Sequence, residues 1–121
     1  MRRRSPGKDK GFLVVTTTCG SRAEAERIAA SLVQEHLAAC AQVQGPVVSH
    51  YRWQGRVESA EEWSCSLKTS GDRYRELERR LRALHSYEVP EVIALPVHSG
   101  SKAYLDWIAH ETGNPDPGVA S

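Results

Sequence analysis

Residues 38–69 limit the possible folds of this sequence most strongly, because they have the pattern of one long β-hairpin. Gly45-Pro46 predicts a bend or bulge in the outgoing strand, and Gln54-Gly55 predicts the turn. The return strand alternates two sets of side chains with a period of two, Trp63, Cys65, Leu67 and Thr69 against Ser64, Ser66 and Lys68. Strands of this length exceed the usual five or six residues, so we expect the excess to pair with another subunit.

The segment before the hairpin predicts a strand followed by a helix. Residues 12–18 are a β-branched run, which predicts a strand buried on both faces. Gly20 ends this run, and Ser21 with Glu24 has the spacing of a capping box. Apolar residues then recur at helical spacing and predict one buried stripe, formed by Ala25, Ile28, Ala29, Leu32, Val33 and Leu37.

The segment after the hairpin predicts a helix, a strand and a terminal helix. Gly71-Asp72 opens a helix with the buried stripe Tyr74, Leu77, Leu81 and Leu84. Its charged residues, which begin with Arg73 and end with Arg82, predict a solvated face. Residues 91–97 predict an apolar strand, and Ser101 caps a short helix in which Tyr104, Leu105, Trp107 and Ile108 are apolar.

The order β-α-β-β-α-β with a C-terminal helix predicts an α+β ferredoxin-like sandwich, with an antiparallel sheet and its helices on one face. The other face of this sheet would be bare in a monomer. Because large exposed apolar faces are rare on soluble monomers, this pattern also favours an oligomer.

Composition indicates one globular domain. The 121 residues are 40% hydrophobic and 26% charged. We expect residues 1–10 to be a disordered basic leader, 11–113 a single domain and 114–121 a flexible tail. The leader holds five of the 16 Lys and Arg but one of the 15 Asp and Glu, so the rest of the chain is mildly acidic. A mildly acidic domain argues against nucleic-acid binding. No apolar run approaches a membrane span and no signal-type segment is visible, which predicts a cytoplasmic location and no membrane partner.

The three cysteines form no Cys-x-x-Cys pair, and their odd number excludes a complete set of intrachain disulfides. Cys40 and Cys65 lie in predicted strands, where a reduced thiol behaves as a small buried apolar group. Cys19 lies at a strand end beside Gly20, so we expect it to be the accessible one.

A polar cluster marks the junction between the second helix and the last strand. His85, Tyr87 and Glu91 lie beside Pro90, which suits the first position of a strand because it cannot donate a backbone hydrogen bond. The pattern therefore predicts that these side chains are displayed from a stiff entry point. A histidine at a helix C-terminus also commonly interacts with the last carbonyls, and that reading stays open.

Five segments together resemble the CutA family of divalent-cation tolerance proteins, in the family's order and spacing over residues 12 to 111. They are Leu37-Ala38-Ala39-Cys40-Ala41-Gln42-Val43, Tyr51-x-Trp53-x-Gly55, Leu67-Lys68-Thr69, His85-x-Tyr87-x-x-Pro90-Glu91 and Tyr104-Leu105-x-Trp107. The resemblance implies a homotrimer with PII-like architecture, in which long hairpins pair across subunits. It also implies a non-enzymatic role in tolerance of copper or another divalent cation, and names no downstream partner.

The resemblance implies a copper site only in part. In the family, a cysteine near the end of the first strand and two adjacent histidines are proposed ligands. Those positions hold Thr17, Leu84 and His85 here, so one of the three is retained. Imidazole and thiolate are suitable copper ligands. We therefore take His85 as the candidate metal ligand and Cys19, two residues beyond Thr17, as a possible second.

A second set of residues is a candidate for either a ligand cleft or the trimer interface: Tyr51, Trp53, Lys68, Tyr87, Glu91 and Trp107. Lys68 motivates the alternative function, a PII-like signalling module that binds a small anion between subunits. An ion pair between Lys68 and Glu91 across subunits is the structural alternative. An acylphosphatase-like enzyme is not favoured, because no arginine loop and no defensible pair of nucleophile and base are present.

Overall fold

A computed structural model of the chain describes residues 11–113. The elements are β1 (Phe12–Cys19), α1 (Arg22–Gln34), β2 (Cys40–Trp53), β3 (Arg56–Ser70), a 3-10 turn (Gly71–Arg73), α2 (Tyr74–Leu84), β4 (Ile93–Pro96) and α3 (Lys102–Glu111). The predicted basic leader (1–10) and C-terminal tail (114–121) lie outside the described residues.

The four strands form one antiparallel sheet in the order β2-β3-β1-β4. This arrangement confirms the predicted ferredoxin-like α+β fold. β4 is shorter than the predicted strand 91–97, and it pairs with β1 from Leu13↔Pro96 to Thr16↔Ile93. None of the helices within residues 11–113 is long and apolar enough to cross a membrane.

The long hairpin has the predicted features. Its turn residues Gln54 and Gly55 both have positive φ (51° and 79°), as a two-residue hairpin turn requires. The register of β2 on β3 shifts between Gln44 and Val47, which confirms the predicted bulge at Gly45-Pro46. A Cβ atom on Gly45 would fall within 2.8 Å of the Trp63 ring, so only glycine allows this close approach.

One apolar core lies between the sheet and the first two helices. Val15, Cys65 and Leu67 project from the sheet and pack with helix residues such as Ile28 and Leu81, all fully buried. The predicted alternation on β3 is confirmed, since Cys65, Leu67 and Thr69 are buried and Trp63 packs against the core. On the opposite face, α3 contacts the end of β3, with the hydroxyls of Ser70 and Thr112 3.0 Å apart, so the predicted placement of the helices on one face holds only for α1 and α2.

The structure corrects four expectations about burial. β1 is fully buried on one face alone, because the face of Thr16 and Thr18 is only half-buried in the single chain. Cys19 is completely buried, since α1 and the His85 segment cover the strand end, whereas Cys40 is partly exposed. Arg73 is not part of the solvated face, because it lies in the 3-10 turn and is 9% exposed.

The first helix is also shorter than its apolar pattern predicts. It ends at Gln34, and His36 follows with a positive φ of 61°. The backbone N–H of Leu37 then bonds the carbonyl of Leu32, which is a common way for a helix to end. Leu37 is therefore buried just beyond the helix rather than within it.

Candidate functional site

Three elements bring a thiol, a carboxylate and an imidazole together in the interior. Cys19 ends β1, Glu24 lies in the first turn of α1, and His85 directly follows α2. All three residues are buried, and one candidate ligand atom from each lies within 4.8 Å of the others. Thiolate, imidazole and carboxylate are the usual protein ligands of transition metals.

Both ring nitrogens of His85 have backbone partners. The N–H of Tyr87 donates to Nδ1 over 3.1 Å, so Nδ1 carries the lone pair in this arrangement. Nε2 then carries the proton and donates to the carbonyl of Thr18 over 2.8 Å. These two bonds place a neutral imidazole, whose side chain is fully buried, against the end of β1.

The thiol of Cys19 lies beside this imidazole, with Sγ 3.7 Å from Nε2 of His85. Burial, and then the negative charge of Glu24, raise the pKa of Cys19 to about 12. The thiol is therefore protonated at neutral pH. A metal ion bound to Sγ would have to displace this proton.

Glu24 has a second role besides opening the helix. Its N–H donates to Oγ of the N-cap Ser21 over 3.1 Å, which confirms the predicted cap. Its carboxylate accepts the N–H of Ser86 over 2.8 Å and lies 3.6 Å from Nδ1 of His85. Burial opposes ionisation, but the hydrogen bonds with Ser86, together with nearby charge such as that of Arg27, hold the pKa of Glu24 below its usual value. The sequence gives no sign of this pairing beyond the capping spacing.

The spacing of the two donors in the cluster is suitable for a metal ion. Tetrahedral coordination with bonds of about 2.3 Å to sulfur and about 2.1 Å to nitrogen separates the two donors by roughly 3.6 Å. Sγ of Cys19 and Nε2 of His85 are 3.7 Å apart. If Nε2 bound a metal, the ring proton would move to Nδ1, where it would replace the hydrogen bond from the N–H of Tyr87 and could be donated to the Glu24 carboxylate, 3.6 Å away. The structure thus brings together both predicted ligands, and their metal-binding role stays a prediction.

A cleft of about 790 Å³ lies next to this cluster. Four of the six residues predicted for a cleft or interface line it: Tyr51, Trp53, Tyr87 and Glu91. Thr18 also lines the cleft, and by strand alternation it projects from the sheet face opposite the core. The cleft therefore opens on the face opposite α1 and α2.

Lys68 and Trp107 do not line this cleft. Lys68 donates from Nζ to Oε1 of Gln42 over 2.7 Å, and it lies six residues along β3 from the cleft residue Glu62. Six residues of strand span roughly 20 Å. Trp107 lies on α3, where its ring is 5.4 Å from that of Tyr104.

Glu91 has a partner other than Lys68 within the chain. The hydroxyl of Thr16 donates to its carboxylate over 2.8 Å. An ion pair between Lys68 and Glu91 is therefore absent within residues 11–113, and the intersubunit version stays a prediction.

Glu62 is a cleft residue that the sequence pattern does not reveal. It follows the exposed Glu61 in β3, yet it is 7% exposed. Tyr87 donates its hydroxyl to the Glu62 carboxylate over 2.7 Å. Burial, and then this carboxylate, raise the pKa of the Tyr87 phenol. The alternation of β3 indicates only which face Glu62 occupies; Tyr87, distant in sequence, helps to cover it.

Comparison with known proteins agrees with the resemblance noted in the sequence. The model of the family described as CutA1 divalent ion tolerance protein matches residues 13–111. The divalent-cation tolerance protein CutA of Thermus thermophilus is 43% identical over 100 residues, which are 83% of this chain and 97% of that protein. The protein of the same name from Archaeoglobus fulgidus is 40% identical over 91 residues, 75% of this chain and 88% of that protein.

A solved structure supports the same relationship in three dimensions. The crystal structure of CutA from Xylella fastidiosa superimposes with a TM-score of 0.82 at 40% identity, over 84% of this chain and 98% of that one. The matched region includes every described strand and helix between residues 13 and 111. The chain belongs to the CutA1 family of divalent ion tolerance proteins.

Proposed function

We propose that this protein acts in tolerance of divalent metal ions as a non-enzymatic homotrimer that binds copper weakly through Cys19 and His85. The metal-binding part of this proposal rests on one observation: Sγ of Cys19 and Nε2 of His85 lie 3.7 Å apart in a buried cluster. A thiolate and an imidazole are soft and intermediate ligands, which favour copper and zinc over magnesium or calcium.

The expected affinity is weak because the site must change before it can bind. A metal ion on Nε2 replaces the hydrogen bond to Thr18, and one on Sγ displaces a proton from a thiol with a pKa of about 12. Two protein ligands are also fewer than the four of a closed tetrahedral site. We therefore expect a dissociation constant of about 1 μM or weaker, which corresponds to roughly −8.2 kcal/mol.

The protonated thiol of Cys19 and the hydrogen bond from His85 to Thr18 also support a non-enzymatic role for this cluster. An activated cysteine needs thiolate character or a neighbouring base that takes its proton. The Cys19 thiol has a raised pKa. Nε2 of His85 already donates to Thr18, so it has no lone pair to accept the thiol proton.

Exposed apolar side chains support the homotrimer. Val48 and Val57 near the hairpin end are 69% and 66% exposed, and Tyr51 and Trp53 are more than 40% exposed. β2 and β4 are the two edges of the sheet, and open edges of this kind favour pairing with another chain. Light scattering at micromolar concentration should give three times the chain mass, and a monomer would contradict the trimer.

The alternative, a PII-like module that binds a small anion, has less support. Lys68 motivated it, but Lys68 lies away from the cleft and is bonded to Gln42. The cleft is lined by four glutamates and by no lysine or arginine of the described chain. In an assembled trimer, Lys68 of one subunit would have to reach the cleft of another for this function to apply.

Calorimetric titration of Cu(II) tests the proposal. We expect one site per chain in the wild type and loss of binding in Cys19→Ala and His85→Ala. His98→Ala is the matched control, because His98 is exposed and lies outside the cluster. Circular dichroism checks that each variant is folded. Binding that is unchanged in both Cys19→Ala and His85→Ala would refute this site.

A further inference from the structure

Residues 85–92 link α2 to β4 without forming a helix or a strand, and they lie across the end of β1. We name this segment the strap. It carries His85, and together with α1 it encloses Cys19, so that neither side chain has exposed surface. A metal ion therefore reaches this pair only if part of its cover moves.

The strap is fastened by side chains rather than by main-chain pairing. Outside the regular elements of the described chain, no backbone-to-backbone hydrogen bond involves residues 86–91. The Glu24 carboxylate accepts the N–H of Ser86 over 2.8 Å. The hydroxyl of Thr16 donates to the Glu91 carboxylate, also over 2.8 Å. A segment with so few backbone bonds opens at a lower free energy than the whole fold.

Tyr87 is the part of the strap that lies directly on the metal-binding pair. Its ring centroid is 4.8 Å from that of His85. A Cβ atom on Gly20, the residue after Cys19, would lie 3.3 Å from the Tyr87 hydroxyl. One side chain thus packs on one ligand and against the neighbour of the other.

Glu62 fastens this side chain to the sheet. The Tyr87 hydroxyl donates to its carboxylate over 2.7 Å, and Glu62 lies in β3 with only 7% of its surface exposed. A hydrogen bond to a carboxylate is stronger than one between neutral groups. All these contacts lie within one chain, so they do not depend on what covers the neighbouring sheet face.

We propose that the strap is the gate of the metal site and that the hydrogen bond from Tyr87 to Glu62 is its latch. This inference rests on the proposed binding of copper by Cys19 and His85. Loss of the latch favours the open strap equally in the free and the metal-bound protein. Copper then enters and leaves faster, while its dissociation constant is unchanged.

Thiol labelling without metal tests whether the strap opens. Full-length protein with Cys40→Ser, which removes the partly exposed thiol, is treated with iodoacetamide at pH 8, and mass spectrometry follows Cys19 and Cys65 separately. Cys65 lies in the core on β3, so only global unfolding exposes it. We expect Cys19 to react at least about tenfold faster than Cys65. Adding Tyr87→Phe should speed the reaction of Cys19 about tenfold further, the effect of one hydrogen bond to a carboxylate.

Two further variants separate the latch from general stability. Thr69→Val is the matched control, because Thr69 is buried and bonds Leu37 rather than the strap. It should speed the labelling of Cys65 and leave that of Cys19 unchanged. Glu62→Gln keeps an acceptor for Tyr87 but removes the charge, so it should speed Cys19 by a smaller factor than Tyr87→Phe.

Stopped-flow measurement of copper binding tests the gate itself. Tyr87→Phe should raise the association and dissociation rates by the same factor and leave the dissociation constant within about twofold. Equal labelling of Cys19 and Cys65 in the Cys40→Ser parent overturns the proposal, as does a Cys19 rate that Tyr87→Phe does not change. A weaker dissociation constant with an unchanged association rate also overturns it, because Tyr87 would then shape the site rather than control access. A wild type that binds no copper refutes the metal site, and with it the gate, even where labelling shows that the strap opens.

Discussion

The thiol of Cys19 and the imidazole of His85 lie 3.7 Å apart, although 66 positions separate them in sequence. The end of β1 and the residue after α2 meet here because the fold places both at one end of the sheet. Neither group is free in this arrangement, since His85 bonds Thr18 and the thiol holds its proton. A metal ion at this pair would therefore have to replace the bond from His85 to Thr18 and the proton on Cys19.

The thiols should differ strongly in reactivity. Burial raises the pKa of Cys19 to about 12 and that of Cys65 to about 11, and both are completely buried. Cys40 is partly exposed. Because the thiolate is the reactive form, we expect Ellman's reagent at pH 8 to modify one thiol per folded chain quickly, and all three after unfolding. Cys40→Ser should remove the fast phase; a fast phase that persists would contradict the burial of the other two.

Two buried threonines should respond in opposite ways to removal of the hydroxyl. Thr69 donates to the carbonyl of Leu37 over 2.7 Å, so Thr69→Val leaves a carbonyl unsatisfied and should cost about 1–3 kcal/mol. The hydroxyl of Thr17 is buried without a partner in the described chain, so Thr17→Val should be neutral or stabilising. Urea unfolding measures both. Equal losses in the two variants would show that Thr17 has an unrecognised partner.

Gly45→Ala should destabilise the protein through a clash with an aromatic ring. The added Cβ would lie within 2.8 Å of Cγ of Trp63, so the hairpin or the ring must shift, at a cost of about 1–3 kcal/mol. Gly113→Ala is the control, because its Cβ would meet the nearest atom at 3.4 Å and needs no positive φ. Thermal unfolding compares the two. A Gly45→Ala protein as stable as the control would mean that the bulge adapts freely.

Glu24 should make stability depend on pH. Despite the opposing effect of burial, hydrogen bonds with Ser86 hold its pKa below the ordinary 4.5. A carboxyl with a lowered pKa in the folded state contributes stability above pH 4.5, and the contribution is lost as pH falls further through the folded-state value. Glu24→Gln should therefore lose about 1 kcal/mol at pH 7 and little at pH 2.

Urea unfolding at both pH values checks the prediction for Glu24. Glu26→Gln is the control, since Glu26 is exposed on the same helix and pairs with the exposed Arg22. A Glu24→Gln loss that is the same at both pH values would contradict the assigned role of the carboxylate.

The sequence predicts the fold well where local patterns agree with tertiary packing. The alternation along β3 and the turn at Gln54-Gly55 depend on neighbouring residues, and both are confirmed. Burial at element ends is less predictable, because it depends on what packs there. Cys19 is enclosed by the segment that contains His85, which no pattern around Cys19 indicates.

The candidate sites are less predictable than the fold because their members come from distant segments. His85 was identifiable by the family resemblance and Cys19 by its type and its nearness to Thr17, whereas Glu24 joins them only through its bond to Ser86. Glu62 resembles its exposed neighbour Glu61 in sequence, and only its contact with Tyr87 sets it apart. The cytoplasmic location, the trimer and the metal-binding role of His85 stay predictions.

Proton release on copper binding tests the metal site most directly. Because the pKa of Cys19 is about 12, a metal ion that binds Sγ at pH 7 must release the thiol proton. Neutral His85 releases none, since its ring proton only moves from Nε2 to Nδ1. Calorimetry in two buffers with different heats of ionisation measures the number of protons released per copper ion. We predict that about one proton is released per copper bound to the wild type, and that Cys19→Ala, in which copper binding is lost, releases none. Binding without proton release in the wild type, or the same release in both proteins, would contradict coordination by Cys19.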